Sequence, residues 1–164
     1  GIDPLPAYEP PRIDSTDDAT RQAYPLVLIT GAREKTYHHS RYRDQAWARK
    51  VSPFPLLQVH PETATAAGLS DGDWVSVETP GIDGRCKLKV TITEETGIGT
   101  VRTGMGWWLP EAPGPERGAL DVNVNAALSY DGPWDPVTGS ADTRGLPCRL
   151  TPVPEGEIPM KEIA

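Results

Sequence analysis

The 164-residue chain holds only two cysteines, three histidines, one phenylalanine and two methionines, and no apolar run long enough to cross a bilayer as a helix. Each scarcity removes a class of function. Cys86 and Cys148 stand 62 positions apart with no second cysteine near either, so a CxxC redox pair and a zinc knuckle are both excluded, and two ordinary reduced thiols are expected. His38 and His39 are adjacent and would diverge on either a strand or a helix; with His60 as the only other histidine and no HExxH, the expectation is no metal site. Positive charge is also short. A formal net charge of -7 argues against a general nucleic-acid binder, which needs a basic footprint. No basic start followed by an apolar stretch marks a signal peptide, and no direct membrane insertion is expected.

What the chain has in excess is punctuation. Eighteen prolines and sixteen glycines, about a fifth of all residues, exceed the usual ~12 % and fit short strands joined by many turns. The length suits one ordinary domain with its own core. Residues 1–24 combine Pro4, Pro6, Pro10 and Pro11 with Asp14, Asp17 and Asp18, a mixture that resists helix and ladder alike and reads as a linker. The opening GIDPLPAYEPPRID reads like the middle of a longer polypeptide.

After Pro25, Leu26–Ile29 is a continuous apolar run of strand length, closed by Thr30 and Gly31. Gly31 to Lys50 then holds six cations against Glu34 and Asp44, so an acidic chain has gathered its positive charge in one place. Within it, Ser40 is placed to cap a short helix running through Lys50, with Tyr42, Ala46 and Trp47 on one face. Leu56–Val59 predicts a second strand, and His60-Pro61 the start of a two-turn helix ending at Gly68, with Leu69 folding back. Val75 and Val77, then Leu88, Val90 and Ile92, alternate with polar residues across a turn at Gly81–Gly84, the pattern of a hairpin with one wet face. Residues 99–103 predict another strand and Cys148–Val153 a last one, with loops from Leu109 between them. Short scattered strands are best accommodated by a small closed barrel, because closure removes exposed edges.

Three stretches carry candidate chemistry. Thr30-Gly31-Ala32-Arg33 with Tyr37, His38, His39, Ser40, Arg41 and Arg43 follows a buried strand, where backbone donors and arginine forks bind phosphate or an oxygen-rich heterocycle; a solvated basic loop is the competing reading. Neither a Walker lysine pattern nor GxGxxG is present, so any anion site is of another kind. Gly104-Met105-Gly106-Trp107-Trp108 lets a flat ligand or a second backbone approach closely, or else caps a barrel end. Asn123, Asn125, Asp135, Ser140 and Arg144 offer groups that read a purine or pterin edge, though Asn and Asp are equally ordinary turn formers.

In order, TGAREKTYHHSRYR at 30–43, VHPETATAAGLSDGDWVSVETPG at 59–81, TGMGWWLPE at 103–111, NVNAALS at 123–129 and DPVTGSADTRGLPCRL at 135–150 resemble the C-terminal molybdopterin-dinucleotide-binding domain of the dimethyl sulfoxide reductase family of molybdenum and tungsten oxidoreductases. The resemblance covers roughly 25–150. It implies an all-β fold with short helices, a six-stranded double-psi β-barrel over 25–153 followed by a tail at 154–164. The implied ligand is bis-molybdopterin guanine dinucleotide, with molybdenum or tungsten held by the parent enzyme. By that resemblance Gly31, Arg33, His39, Ser40, Arg43 and Asn125 touch the cofactor, and the same is extended to Trp107, Asp135 and Arg144. The metal's own protein ligand lies in an earlier domain, so this chain is expected to bind rather than catalyse. Its implied partners are the remaining domains of the parent and an iron-sulfur electron-transfer subunit. The Gly-Trp-Trp and Arg-Gly-Leu-Pro-Cys-Arg details are nearest to members acting on thiosulfate, polysulfide or acetylene. Position 38 is a second histidine where many members have an aromatic residue, so His38 and His39 could exchange roles.

Two other readings keep the barrel. A peptide- or adaptor-binding module, as at the amino terminus of certain unfoldases, would show an apolar groove and no dependence on Arg33 or Arg43. A self-processing enzyme resembling aspartate decarboxylase needs a cleavable Gly-Ser, and Gly139-Ser140 is the only such dipeptide.

Overall fold

The computed structural model describes Leu5, residues 17–130 and residues 134–160. Six strands close into a barrel in the order β1-β5-β2-β4-β3-β6: β1 (Leu26–Ala32), β2 (Leu56–Val59), β3 (Trp74–Glu78), β4 (Arg85–Ile92), β5 (Thr100–Gly104) and β6 (Arg144–Pro152). This is the small closed barrel that short, scattered strands predict, and the all-β fold with short helices that the resemblance implies. Alternation decides which face β4 buries: Cys86, Leu88 and Val90 point inward while Arg85, Lys87 and Lys89 do not. In β3 the expected wet face is missing, since Trp74, Val75, Ser76 and Val77 are buried in succession. Leu28, Leu57, Val59, Val75, Val77, Leu88, Val90, Val101 and Leu146 fill the interior with the two thiols. Cys86 and Cys148 are free and buried, and burial pushes each thiol up to about 12.

The helix Pro61–Ala67 forms as its sequence dictates. His60 accepts from Glu62 N at 3.2 Å, Pro61 occupies a position whose missing donor is not needed, and Gly68 ends the helix in the left-handed region at φ 65°. Leu69 N returns to the Ala64 carbonyl at 2.9 Å while its side chain packs on the core. The Asp71-Gly72 turn is held by Asp71, which accepts from Ile92 N at 2.8 Å.

Three further expectations need correction. The stretch read as linker contains a short helix, α1 (Asp18–Ala23), because Asp17 accepts from Thr20 N at 2.8 Å and so caps a turn that lies beyond the prolines; residues 1–4 and 6–16, with most of the linker, lie outside the described residues, as do 161–164 of the tail. Ser40 does not cap a helix: the helix, α2 (Ala46–Val51), starts six residues later from Gln45, and Trp47 is 60 % exposed. The late region is also less irregular than read, since Ala119–Val122 (α4, counting Pro61–Ala67 as α3) and a 3-10 turn at Val124–Ala127 precede β6. β6 begins at Arg144, before the Gly145 and Pro147 that disguised it, because it is paired along both edges, to β1 and β3.

Strand directions place the site. β5 runs parallel to β1, β2 and β4 run opposite to β5, and β6 runs opposite to both β1 and β3. The ends of β1, β3 and β5 and the starts of β2, β4 and β6 therefore share one end of the barrel. From that end leave the basic loop 33–45, the glycine-tryptophan segment 105–108 and the late loop 119–143. The 3-10 turn closes it: Val124, Ala127 and Leu128 join the core, and the Thr79 hydroxyl donates to the Ala127 carbonyl.

Candidate functional site

β1 ends in an irregularity of its pairing with β5 between Ile29 and Ala32, and Gly31 sits there at φ 80°. A Cβ at Gly31 would lie 3.0 Å from Met105 Cε and 3.1 Å from Arg144 Nη2, so the glycine admits both side chains over the strand end. The chain then folds into a loop with two strained residues, His39 at φ 54° and Tyr42 at φ 69°. It encloses a cavity of about 400 Å³ lined by Ala32 to His39, Tyr42, Arg43, Trp47 and Met105. That is within the ~300–1,000 Å³ of ordinary ligand pockets.

A buried arginine holds this loop. Arg43 is 1 % exposed; its Nε donates to the Gly106 carbonyl at 3.0 Å, and its Nη2 donates to the His39 and Met105 carbonyls, each at 3.1 Å. The guanidinium lies 3.7 Å from the Trp107 ring and 4.2 Å from that of Tyr37. Burial brings Arg43 down to about 10, still protonated at neutral pH. Its Nη1 is buried without a partner among the described residues. Trp107, 1 % exposed, donates from Nε1 to Glu34 Oε1 at 2.8 Å, and Trp108 donates to the Ser40 carbonyl at 2.7 Å. Gly106 makes this packing possible, since a Cβ there would come within 2.9 Å of both His39 C and Ser40 N. Behind the loop, Arg49 of α2 donates to Glu111 at 2.7 and 3.1 Å and to the Pro53 carbonyl at 2.6 Å.

The residues expected from sequence divide accordingly. Arg33, His39 and Arg43 line one cavity, with Gly31 and Arg144 at its edge and Ser40 beside it. His38 and His39 both line it, their rings edge-to-face at 4.8 Å, and His39 Nδ1 lies 3.1 Å from Met105 Sδ. Arg43 and Trp107 lie beneath the surface as supports. Asn125 is exposed on the 3-10 turn at the same barrel end but is not among the lining residues. Asp135 builds a turn, accepting from Val137 N at 3.1 Å and Thr138 N at 2.7 Å. Sequence reasoning missed Glu34, the one carboxylate lining the cavity, whereas Met105, which also lines it, stood within the glycine-tryptophan stretch already singled out. Glu34 had a signal, an acid three residues beyond the strand-ending glycine inside a basic run. Burial raises the Glu34 carboxyl above its ordinary value, against the opposing pull of Arg43 and the Trp107 bond.

Cationic lining, an unpartnered buried guanidinium donor and glycines that keep the backbone open all fit an anionic, flat, heteroatom-rich ligand. Among the described residues no group of three His, Cys, Asp or Glu side chains is placed to hold a metal ion. Comparison with known proteins agrees with that chemistry: the profile of the molydopterin dinucleotide binding domain matches residues 26–147. The chain belongs to this family. It is 36 % identical over 151 residues to acetylene hydratase from Syntrophotalea acetylenica, covering 88 % of this chain and 20 % of that protein. To a sulfite dehydrogenase polypeptide of Allochromatium vinosum it is 30 % identical, over 95 % of this chain and 17 % of the relative. Dopamine dehydroxylase from Eggerthella lenta shares 29 % identity over 89 % of this chain and 14 % of its own length. A solved structure of acetylene hydratase from Pelobacter acetylenicus superposes with a TM-score of 0.84 at 34 % identity, covering 92 % of this chain and 21 % of that one. The chain thus spans about a fifth or less of the relatives it matches. Its function is that of a cofactor-binding domain, and its cofactor is a molybdopterin dinucleotide.

Proposed function

We propose that this domain grips bis-molybdopterin guanine dinucleotide within a larger molybdenum or tungsten oxidoreductase, with Gly31, Arg33, His39, Ser40, Asn125, Asp135 and Arg144 at the ligand and Arg43 and Trp107 supporting them. The barrel unit is taken as 25–153. The observation that carries this reading is the common barrel end: the cation-rich loop after β1 and the asparagine-bearing late loop leave it together, beside one basic cavity.

The bound metal-pterin group supplies the redox chemistry, and this chain supplies binding, orientation and exclusion of water. Arg33 and Arg144 present guanidinium forks suited to the pyrophosphate. The backbone at Gly31 admits the heterocycle, and His39 offers a ring nitrogen as donor or acceptor. Arg43 fixes the loop so that these groups are pre-placed. The proposed partners are the remaining domains of the parent and an iron-sulfur electron-transfer subunit. An adaptor-binding barrel would need an apolar groove where this cavity has Arg33, Lys35 and Arg43.

The test is replacement of Arg33 and His39 by alanine in the full enzyme, followed by assay of bound metal and of the pterin released on denaturation. Lower occupancy with an unchanged melting temperature is expected. Normal occupancy counts against the site.

A further inference from the structure

Glu34 is out of place in an anion site. A cavity that only gathers phosphate gains from Arg33, Lys35, His38, His39 and Arg43 and loses from a carboxylate among them. Glu34 is nevertheless held firmly there: Trp107 Nε1 donates to its Oε1 at 2.8 Å, and Gly104 keeps the space beside it clear, since a Cβ there would lie 3.0 Å from the same oxygen. It is not consumed by an ion pair. No nitrogen of a cationic side chain stands within salt-bridge distance among the described residues, and Arg43 directs Nε and Nη2 to backbone carbonyls. Oε2 makes no hydrogen bond with the described residues and is not sealed from solvent. The result is one fixed acceptor, free on one side, in a cavity otherwise furnished with donors.

We propose that Glu34 is a ligand-reading residue whose free oxygen accepts N–H bonds from a 2-amino-4-oxopyrimidine edge, the grouping shared by a pterin and a guanine base, seated in the cavity between the β1 loop and Met105. This rests on the cofactor reading above and says which part of the dinucleotide the cavity holds. The edge carries adjacent N–H donors, which a carboxylate accepts and which a purely cationic pocket would leave unmet. Arg43 supports the carboxylate from below, at a distance that favours its charge without occupying it.

The experiment is a titration of the 164-residue chain with 6-carboxypterin, with 6-carboxylumazine, in which oxygen replaces the 2-amino group, with GMP and with inorganic pyrophosphate. For the wild type, pterin is expected to bind on the order of tenfold or more tighter than lumazine, the cost of misreading one charged hydrogen bond. Glu34→Gln keeps an acceptor for Trp107 but turns an amide N–H₂ toward the ligand, so the preference should disappear or invert while pyrophosphate binds at least as well. The ratio of the two heterocycles is internal to each protein and is untouched by any general change in stability. Glu34-dependent binding of GMP as well as pterin would identify the guanine end as an alternative occupant; pterin alone identifies the pterin end. A wild type that does not discriminate, or that binds neither heterocycle, overturns the proposal, as does a Glu34→Gln variant that discriminates as before. If Arg33-dependent pyrophosphate binding survives in any of those cases, the broader cofactor reading stands; if it is absent too, both fall.

Discussion

Replacing Arg43 by methionine tests whether the loop after β1 is built around that guanidinium. The substitution keeps the stem volume and removes three donated hydrogen bonds, to the carbonyls of Gly106, His39 and Met105, together with the stacking between Tyr37 and Trp107. Hydrogen bonds from a charged group contribute about 1.5–3 kcal/mol each where buried, and a cation–π contact about 0.5–2 kcal/mol. These do not add in full. The guanidinium surrenders its hydration to lie at 1 % exposure, a cost that methionine avoids, and water reaches those carbonyls that face the cavity. A net loss of about 3 kcal/mol follows, a large fraction of the ~5–15 kcal/mol that stabilises a domain. At roughly 2–4 °C per kcal/mol for a chain of this length, the melting temperature should fall by about 6–12 °C. Arg43→Lys retains the charge but only a single donor centre, so it should recover less than half of that loss. Thermal unfolding followed by tryptophan fluorescence reads the result directly, because Trp107 is the stacking partner. A melting temperature for Arg43→Met within about 2 °C of wild type, well short of the shift expected for a domain of this size, would refute the claim that this arginine organises the loop.

Two further predictions concern the late loop and the acids. A Cβ at Gly84 would overlap the Ala126 carbonyl oxygen, so Gly84→Ala should push the 3-10 turn bearing Asn125 off the β3–β4 turn and destabilise the domain by about 1–3 kcal/mol; a chemical-denaturation midpoint equal to wild type would contradict the packing. Glu34 is raised above its ordinary 4.5 chiefly by burial, so the folded protein holds that proton more firmly than the unfolded chain, and stability should fall as pH rises from 4.5 through the raised value. Glu78 has the opposite sign: burial opposes it, but bonds from Arg149 and Thr151 hold it below 4.5, so its contribution is present above that pH and is lost as pH falls through the lowered value. In urea midpoints measured from acid to neutral pH, Glu34→Gln should flatten the first slope and Glu78→Gln the second; unchanged slopes would reject the assignments.

The parts of the fold that sequence foretold are those fixed by local chemistry. Strand alternation in β4, the His60-Pro61 helix start and the Gly68 stop depend on residues within one turn of each other, and all are found as read. What was hidden depends on partners far along the chain. β6 carries Gly145 and Pro147 and so lacks a clean strand pattern, yet it closes the barrel because β1 and β3 offer it edges on both sides. The α2 start moved because Arg43 draws residues 38–43 into backbone contacts with 105–106, and a chain so held at positive φ cannot also be helical. The cavity follows the same rule: its cations were visible as a charge window, its shape was not.

That rule explains why counting charges marks a cation-rich window without telling which of its members hold the loop. Six cations between Gly31 and Lys50 read as one anion-binding surface, yet two of them are structural: Arg43 is occupied by three carbonyls and two rings, and Arg49 by Glu111 and Pro53. Arg33, Lys35, Arg41 and Lys50 remain exposed, and Arg144 joins them from β6, more than ninety residues away in sequence. A guanidinium can turn inward or outward, and the choice depends on whether backbone carbonyls without other donors lie within its reach. Here the strained turn at His39 and the glycine pair 104 and 106 create such carbonyls, so Arg43 turns in. The proposed phosphate-binding surface of outward-facing cations therefore depends on the inward-facing one, and loss of Arg43 should weaken anion binding through the loop it holds as well as through its own Nη1, which has no partner among the described residues.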